Sequence, residues 1–90
     1  MKIYWFERHD NDVNQMPEKI NDLEKFGFDG VMYPYGYYAK DYFTKISRTI
    51  DAKSNFQYIV AIRTYTISPQ YLTMLCNSID DISPDRISLN

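Results

Sequence analysis

An α/β fold of the parallel (βα)n kind is predicted by three features of this 90-residue sequence. Short β-branched and aromatic runs begin near residues 2, 30, 56 and 86, at intervals of 28, 26 and 30 residues. Between them, apolar residues recur at helical spacing. Pro, Gly, Asp, Asn or Ser punctuates the boundaries. A strand–helix–strand repeat of this length is close to the minimum for a parallel crossover. Two architectures accommodate it: half of a βα-barrel, or a small open parallel sheet. Residues 1–90 form one domain, with no linker or low-complexity tract.

The first strand is expected over Lys2–Phe6 (KIYWF), followed by a polar loop, Glu7–Asn14. Asn14 or Gln15 caps the first helix, where Pro17 sits in the first turn. Its inner stripe is Met16, Ile20, Leu23 and Phe26, and Gly27 ends it in a left-handed conformation. Asp29-Gly30 turns into a second strand, Val31–Tyr33, stopped by Pro34. Asp41 caps a helix with Phe43, Ile46 and Ile50 inward. Phe56–Ile62 is the third strand, and its near-continuous apolar run implies burial on both faces. Ser68 and Pro69 start a third helix whose stripe is Leu72, Leu75 or Cys76, Ile79 and Ile82. Ser83-Pro84-Asp85 turns the chain into a fourth strand, Arg86–Leu89.

Composition narrows the function classes. The net charge of −2 comes without a Lys/Arg block, which disfavours a nucleic-acid or polyanion partner. Cys76 is the only cysteine, so no internal disulfide and no cysteine-rich metal cluster can form. No segment approaches the length of a membrane span, and the N-terminus lacks a signal peptide's apolar stretch. A soluble cytoplasmic protein is expected. The chain ends on a strand, and an exposed final parallel strand is an aggregation hazard. The expectation is therefore that these residues begin a longer protein.

In such folds chemistry sits where strands end and loops begin. Arg63, at the end of the third strand, has the planar fork that suits an oxyanion; the alternative is a surface ion pair. Nine tyrosines, four of them between Tyr33 and Tyr38, bring area together with a hydroxyl. Trp5, Phe6, Tyr35 and Tyr37 are candidates for an aromatic wall, against simple packing. Phe6 is assigned to packing, Tyr35 and Tyr37 to the wall. His9 is the lone histidine, able to move protons near neutrality or simply to sit in solvent. With no second His and no nearby Cys, no metal site is expected. Asp80 and Arg86 read as a structural ion pair, and Asp29-Gly30 as turn chemistry.

Several segments together resemble the luciferase-like flavin-dependent monooxygenases, particularly the alkanesulfonate branch. These are LEKFGFDGVMYP at 23–34, VAIR at 60–63, the Ser68-Pro69 helix start, and SIDDISPDRISLN at 78–90. The resemblance spans nearly the whole chain and implies the N-terminal half of a TIM barrel, with strands in order 1-2-3-4. It implies an enzyme that oxygenates a small organic substrate, such as a sulfonate, using O2 and reduced FMN supplied by a partner flavin reductase. It further implies that Ala61 lets the flavin ring approach closely and that Asn90 helps hold it; with Arg63 and Tyr35, read above from their own chemistry, they make up the candidate cofactor half-site. Trp5 and Tyr37, from the aromatic wall read above, are the candidates for contact with the substrate. The chain departs from the pattern at Ala39, where desulfonating members carry cysteine, and at Tyr37, where they carry arginine. Pro84-Asp85 also replaces a pair ending in glycine. Other readings stay open: a non-catalytic α/β segment that works only by assembling with another chain, or a barrel that binds a deazaflavin or an aldehyde. A homo-oligomer or a complementing half-barrel would complete the wall.

Overall fold

The computed structural model describes residues 1–8, 12–35, 40–51, 54–63 and 65–90. The elements are β1 (Tyr4–Phe6), a 3₁₀ turn (Val13–Gln15), α1 (Met16–Lys25), β2 (Gly30–Tyr33), α2 (Tyr42–Thr49), β3 (Gln57–Val60), α3 (Pro69–Ile82) and β4 (Ile87–Leu89). The strands form one parallel sheet in the order β1-β2-β3-β4. The α/β class and sequential strand order expected from the spacing are thus present, with each strand trimmed by a residue or more at one or both ends, except that β2 starts one residue earlier.

Pleating separates the sheet's two faces. Trp5, Val31, Tyr58 and Ile87 lie in one register row, and Tyr33, Val60 and Leu89 in another. This face meets the helices. Val31, Tyr33, Tyr58 and Val60 are fully buried there against Met16, Ile20 and Leu23 of α1, Tyr42 and Ile46 of α2, and Ile79 of α3. Each fully buried apolar side chain of this size contributes about 1.5–3 kcal/mol. All three helices therefore cover the same face. Tyr33 is the hub, its ring stacked on Tyr42 at 5.8 Å and on Tyr58 at 6.5 Å between centroids.

The opposite face carries Tyr4, Phe6, Gly30, Met32, Gln57, Ile59 and Ser88, and none of the described helices lies on it. Burial of β3 on both faces is accordingly not found. Tyr58 and Val60 are buried, but Gln57 and Ile59 are only half covered. The Tyr4 ring lies across Gly30, where a Cβ would come within 2.8 Å of it. The same Cβ would press still closer on the Gln57 backbone carbonyl, so moving the ring alone would not make room for it.

Helix ends explain several differences from the periodicity. The Asp12 side chain accepts from the Asn14 amide and caps the 3₁₀ turn leading into α1, whereas Gln15 makes no side-chain cap. At the other end, Gly27 (φ +92°) closes a Schellman motif: the Phe28 amide donates to Leu23 and the Gly27 amide to Glu24. The chain reverses at Phe26, the C-cap residue, so its ring is 81% exposed rather than continuing the inner stripe. Phe28 takes its place against the core. Asp41 caps α2 as expected, accepting from the Thr44 amide at 2.9 Å and its hydroxyl at 2.7 Å. Ser68 caps α3, accepting from the Tyr71 amide.

Helix α3 corrects its expected stripe. Ile79 is buried, Leu72, Leu75 and Cys76 are half covered, and Ile82 is exposed. The Asp80–Arg86 ion pair does not form. Arg86 is instead buried, donating to the carbonyls of Phe56 and Asp51, each at 2.6 Å, and to the Ser83 hydroxyl at 3.0 Å. The Phe56 carbonyl lies just before β3 and the Asp51 carbonyl just after α2, and one guanidinium serves both together. Asp29 does more than turn the chain. Its carboxylate accepts from the Ile3 amide, its own amide donates to the Ile3 carbonyl, and its carbonyl accepts from Gln57. It thus ties the beginnings of β1, β2 and β3.

Candidate functional site at the strand ends

The C-terminal ends of the strands converge on two adjoining concavities. One, of about 350 Å³, is lined by Met32, Pro34, Tyr35, Ala61, Ile62, Arg63 and Asn90. The other, of about 660 Å³, lies on the helical side between the N-termini of α2 and α3, and includes Tyr35, Arg63, Tyr42, Phe43, Tyr71 and Leu75. Tyr35, Ala61, Ile62 and Arg63 belong to both.

Backbone pairing creates the first pocket. The Ala61 amide donates to the Tyr33 carbonyl, the Ile62 amide to the Asn90 carbonyl, and the Asn90 amide to the Val60 carbonyl. Residues 61, 62 and 90 are thereby held in strand register beyond the formal strand ends. Alternation puts Ala61 and Asn90 on the side of Met32 and Ile59, at the upper margin of the uncovered face. The Arg63 guanidinium carbon stands 5.5 Å from the centroid of the Tyr35 ring, within cation–π range. Desolvation raises the Tyr35 phenol above its ordinary value, the charge of Tyr65 and a hydrogen bond with it add to this, and Arg63 opposes it. At neutral pH the pair therefore presents one fixed positive charge beside a neutral phenol.

Tyr35, Ala61, Arg63 and Asn90, spread over 56 positions of sequence, are thus brought together. Trp5 is not. Its ring lies on the helical face, edge-on to Phe28 at 5.6 Å and 5.2 Å from the Lys19 ammonium. Phe6 is 64% exposed on the uncovered face, so the packing expected of it is not made among the described residues. His9, Tyr37 and Ala39 lie outside the described residues.

Three buried charged side chains were not anticipated. Glu7, fully buried just after β1, accepts from the Lys19 ammonium at 2.8 Å and from the Arg8 amide at 2.9 Å. Lys45 is fully buried beneath Tyr33, its ammonium 5.4 Å from the ring centroid. Arg86 is the third. Periodicity reads Lys45 as flanking the apolar stripe and cannot reveal that an ammonium ends under an aromatic ring. Cys76 is half covered, and burial followed by the nearby Asp80 raises its thiol, which makes it a poor nucleophile.

Among the described residues no group of three or more His, Cys, Asp or Glu could hold a metal ion. Nor is any described helix long and apolar enough to cross a membrane. No protein-family model matches the chain.

Proposed function

We propose that this sheet is the N-terminal half of an eight-stranded βα-barrel, and the chain the N-terminal part of an FMN-dependent monooxygenase. One observation carries the reading. Four residues assigned from the sequence to a flavin half-site, Ala61 and Asn90 of them by resemblance, line one pocket at the C-terminal strand ends, where βα-barrels hold their ligands. The residues suit the group. Ala61 leaves room for a flat ring, Met32 and Pro34 offer apolar surface beneath it, the Asn90 side chain brings an amide, and Arg63 supplies a cation for an anionic portion. Bound reduced flavin would supply the electrons that activate dioxygen. The chain's own residues would seat the ring and cover one side of it. A partner flavin reductase, a small organic substrate and a cytoplasmic setting belong to the same proposal, with a sulfonate as one substrate class.

The test is amide-resolved NMR during an FMN titration of the 90-residue chain. Weak binding is expected, because one wall covers far less than the roughly 70–90% of a small ligand that a pocket buries. Even so, the shifts should be confined to Tyr35, Ala61, Ile62, Arg63 and Asn90, and Arg63→Ala should remove them. Shifts absent at these residues, or clustered elsewhere, would sink the reading.

A further inference from the structure

We infer that the larger strand-end cavity, on the helical side, binds a small organic anion: an aromatic or aliphatic body that ends in one carboxylate. The inference goes beyond the flavin reading and does not rest on it. The cavity, of about 660 Å³, is walled by the chain just past β3 and by the starts of α2 and α3. No residue of β1 or β4 lines it, so its walls come from neighbouring elements in the middle of the sheet. Its volume falls within the roughly 300–1,000 Å³ of sites for small organic molecules.

The apolar wall selects the body of the ligand. Tyr42 and Phe43 line the cavity from α2, Tyr71 and Leu75 from α3, and Ile62 and Ile67 from the β3 end and the loop after it. Tyr71 and Leu75 are one helical turn apart and make a continuous strip along α3. Tyr42 and Phe43 are buried, but Ile67 and Leu75 are half covered and Tyr71 is exposed. Leu75, expected in the inner stripe of α3, is half covered because it borders this space. Apolar side chains left partly wet around a concavity gain by giving up that water to an apolar ligand.

The polar lining selects the charge. Asp41 is committed to the cap of α2, its carboxylate accepting from the Thr44 amide and hydroxyl. The Ser68 hydroxyl is committed to the cap of α3, accepting from the Tyr71 amide. The Thr66 hydroxyl and amide both donate to the Arg63 carbonyl, at 2.7 and 3.0 Å, and so fix the backbone that carries the guanidinium. That guanidinium is the one cation among the described lining residues. It has no carboxylate partner among the described residues, and its contact is the Tyr35 ring, 5.5 Å away. A planar fork held against a ring at the edge of an apolar cavity suits a carboxylate, which it can meet with two parallel bonds. A cationic ligand would instead have to draw Asp41 from its cap.

Amide-resolved NMR titrations of the 90-residue chain, without flavin, test the inference with three probes of one shape: 4-phenylbutyrate, 4-phenylbutan-1-ol and 4-phenylbutylamine. The carboxylate should bind with a Kd on the order of 1 mM, as suits a ligand of its size. It should shift the amides of Phe43, Ile67, Tyr71 and Leu75 and leave those of Met32 and Asn90, which belong to the other pocket, in place. The alcohol should bind about fivefold more weakly, and the amine more weakly again. Arg63→Gln should lower the carboxylate to the affinity of the alcohol. Tyr71→Ala, at an exposed position, should weaken all three probes alike. No shift at these four residues at about ten times the expected Kd, tighter binding of the amine, or a carboxylate affinity unchanged in Arg63→Gln would each overturn the inference. Because flavin is left out, none of these results bears on the flavin reading, and a failed FMN titration leaves this site standing.

Discussion

At the scale of single residues, Arg86 and Tyr33 show opposite ways of placing a polar group in a small core. Arg86 is buried and well supplied: its donors meet two carbonyls and a hydroxyl, and its guanidinium lies 5.7 Å from the Tyr58 ring centroid. Arg86→Ala should cost about 3 kcal/mol, since several bonds to a charged donor vanish and buried acceptors are left behind. Arg86→Lys should recover less than half, because an ammonium lacks the planar fork that reaches three acceptors together. Denaturant midpoints for the two variants decide this, and equal, small losses would mean that water replaces the guanidinium. Tyr33 is equally buried, yet its hydroxyl has no hydrogen-bond partner among the described residues. Tyr33→Phe should therefore raise stability at neutral pH by about 1 kcal/mol. Burial first, then the neighbouring Tyr58 and Glu7, push the Tyr33 phenol well above its ordinary value. The folded state thus keeps this proton after the unfolded chain has lost it. Stability is full below the ordinary phenol value of 10.0 and falls as pH rises beyond it. Stability of Tyr33→Phe should fall less steeply with alkaline pH than that of the natural chain, and parallel curves would show that Tyr33 does not govern the decline.

At the scale of elements, the three helices differ in how firmly they are held. Helix α1 buries Met16, Ile20 and Leu23, and α2 buries Tyr42, Phe43, Lys45 and Ile46, but α3 buries Ile79 alone despite being the longest. It retains exposed Tyr71, Met74 and Ile82. A helix anchored through one side chain depends heavily on it. Ile79→Ala should cost ~2–5 kcal/mol by leaving a cavity that α3 cannot close, whereas Met74→Ala should stay within about 0.5 kcal/mol. Amides of α3 should exchange faster than those of α1, because fewer buried contacts oppose local opening. Equal protection in both helices would show that α3 is held by contacts other than its Ile79 anchor. The turn after α3 adds to its weakness, since Asp85 has φ of +60°, a conformation that favours glycine.

At the scale of the whole molecule, four strands supply one wall of a site. The strand-end pocket has floor residues in Met32, Pro34 and Ala61 and a cation in Arg63, and its described lining comes from the strand ends alone. Catalysis through a reduced flavin requires water to be kept from the reacting ring. With one wall that exclusion fails, so in a reductase-coupled oxygen-consumption assay the monomeric chain should show no substrate-dependent turnover. Turnover should need a second wall, from further strands or from a second copy. Substrate-dependent oxygen uptake by a strictly monomeric preparation would show instead that one wall suffices.

The sequence by itself determined what depends on neighbours along the chain. Alternating strand and helix patterns set the element order, and their even spacing implied parallel pairing in sequential order. Capping chemistry at Asp41, Ser68 and Gly27 is local and was legible for that reason. Placing Tyr35, Ala61, Arg63 and Asn90 at strand ends was enough to bring them together, since in a parallel sheet all strand ends of one kind share a side. Tertiary structure alone decided what depends on distant partners. Whether β3 is covered on both faces depends on what lies across the sheet, which residues 56–62 cannot encode. Whether Arg86 pairs with a carboxylate or with carbonyls depends on three acceptors up to 35 positions away. Trp5 left the expected wall because pleat parity, fixed by register with Val31, turned it toward the helices. A shift of one residue in that pairing would reverse its face, and only the assembled sheet sets the register.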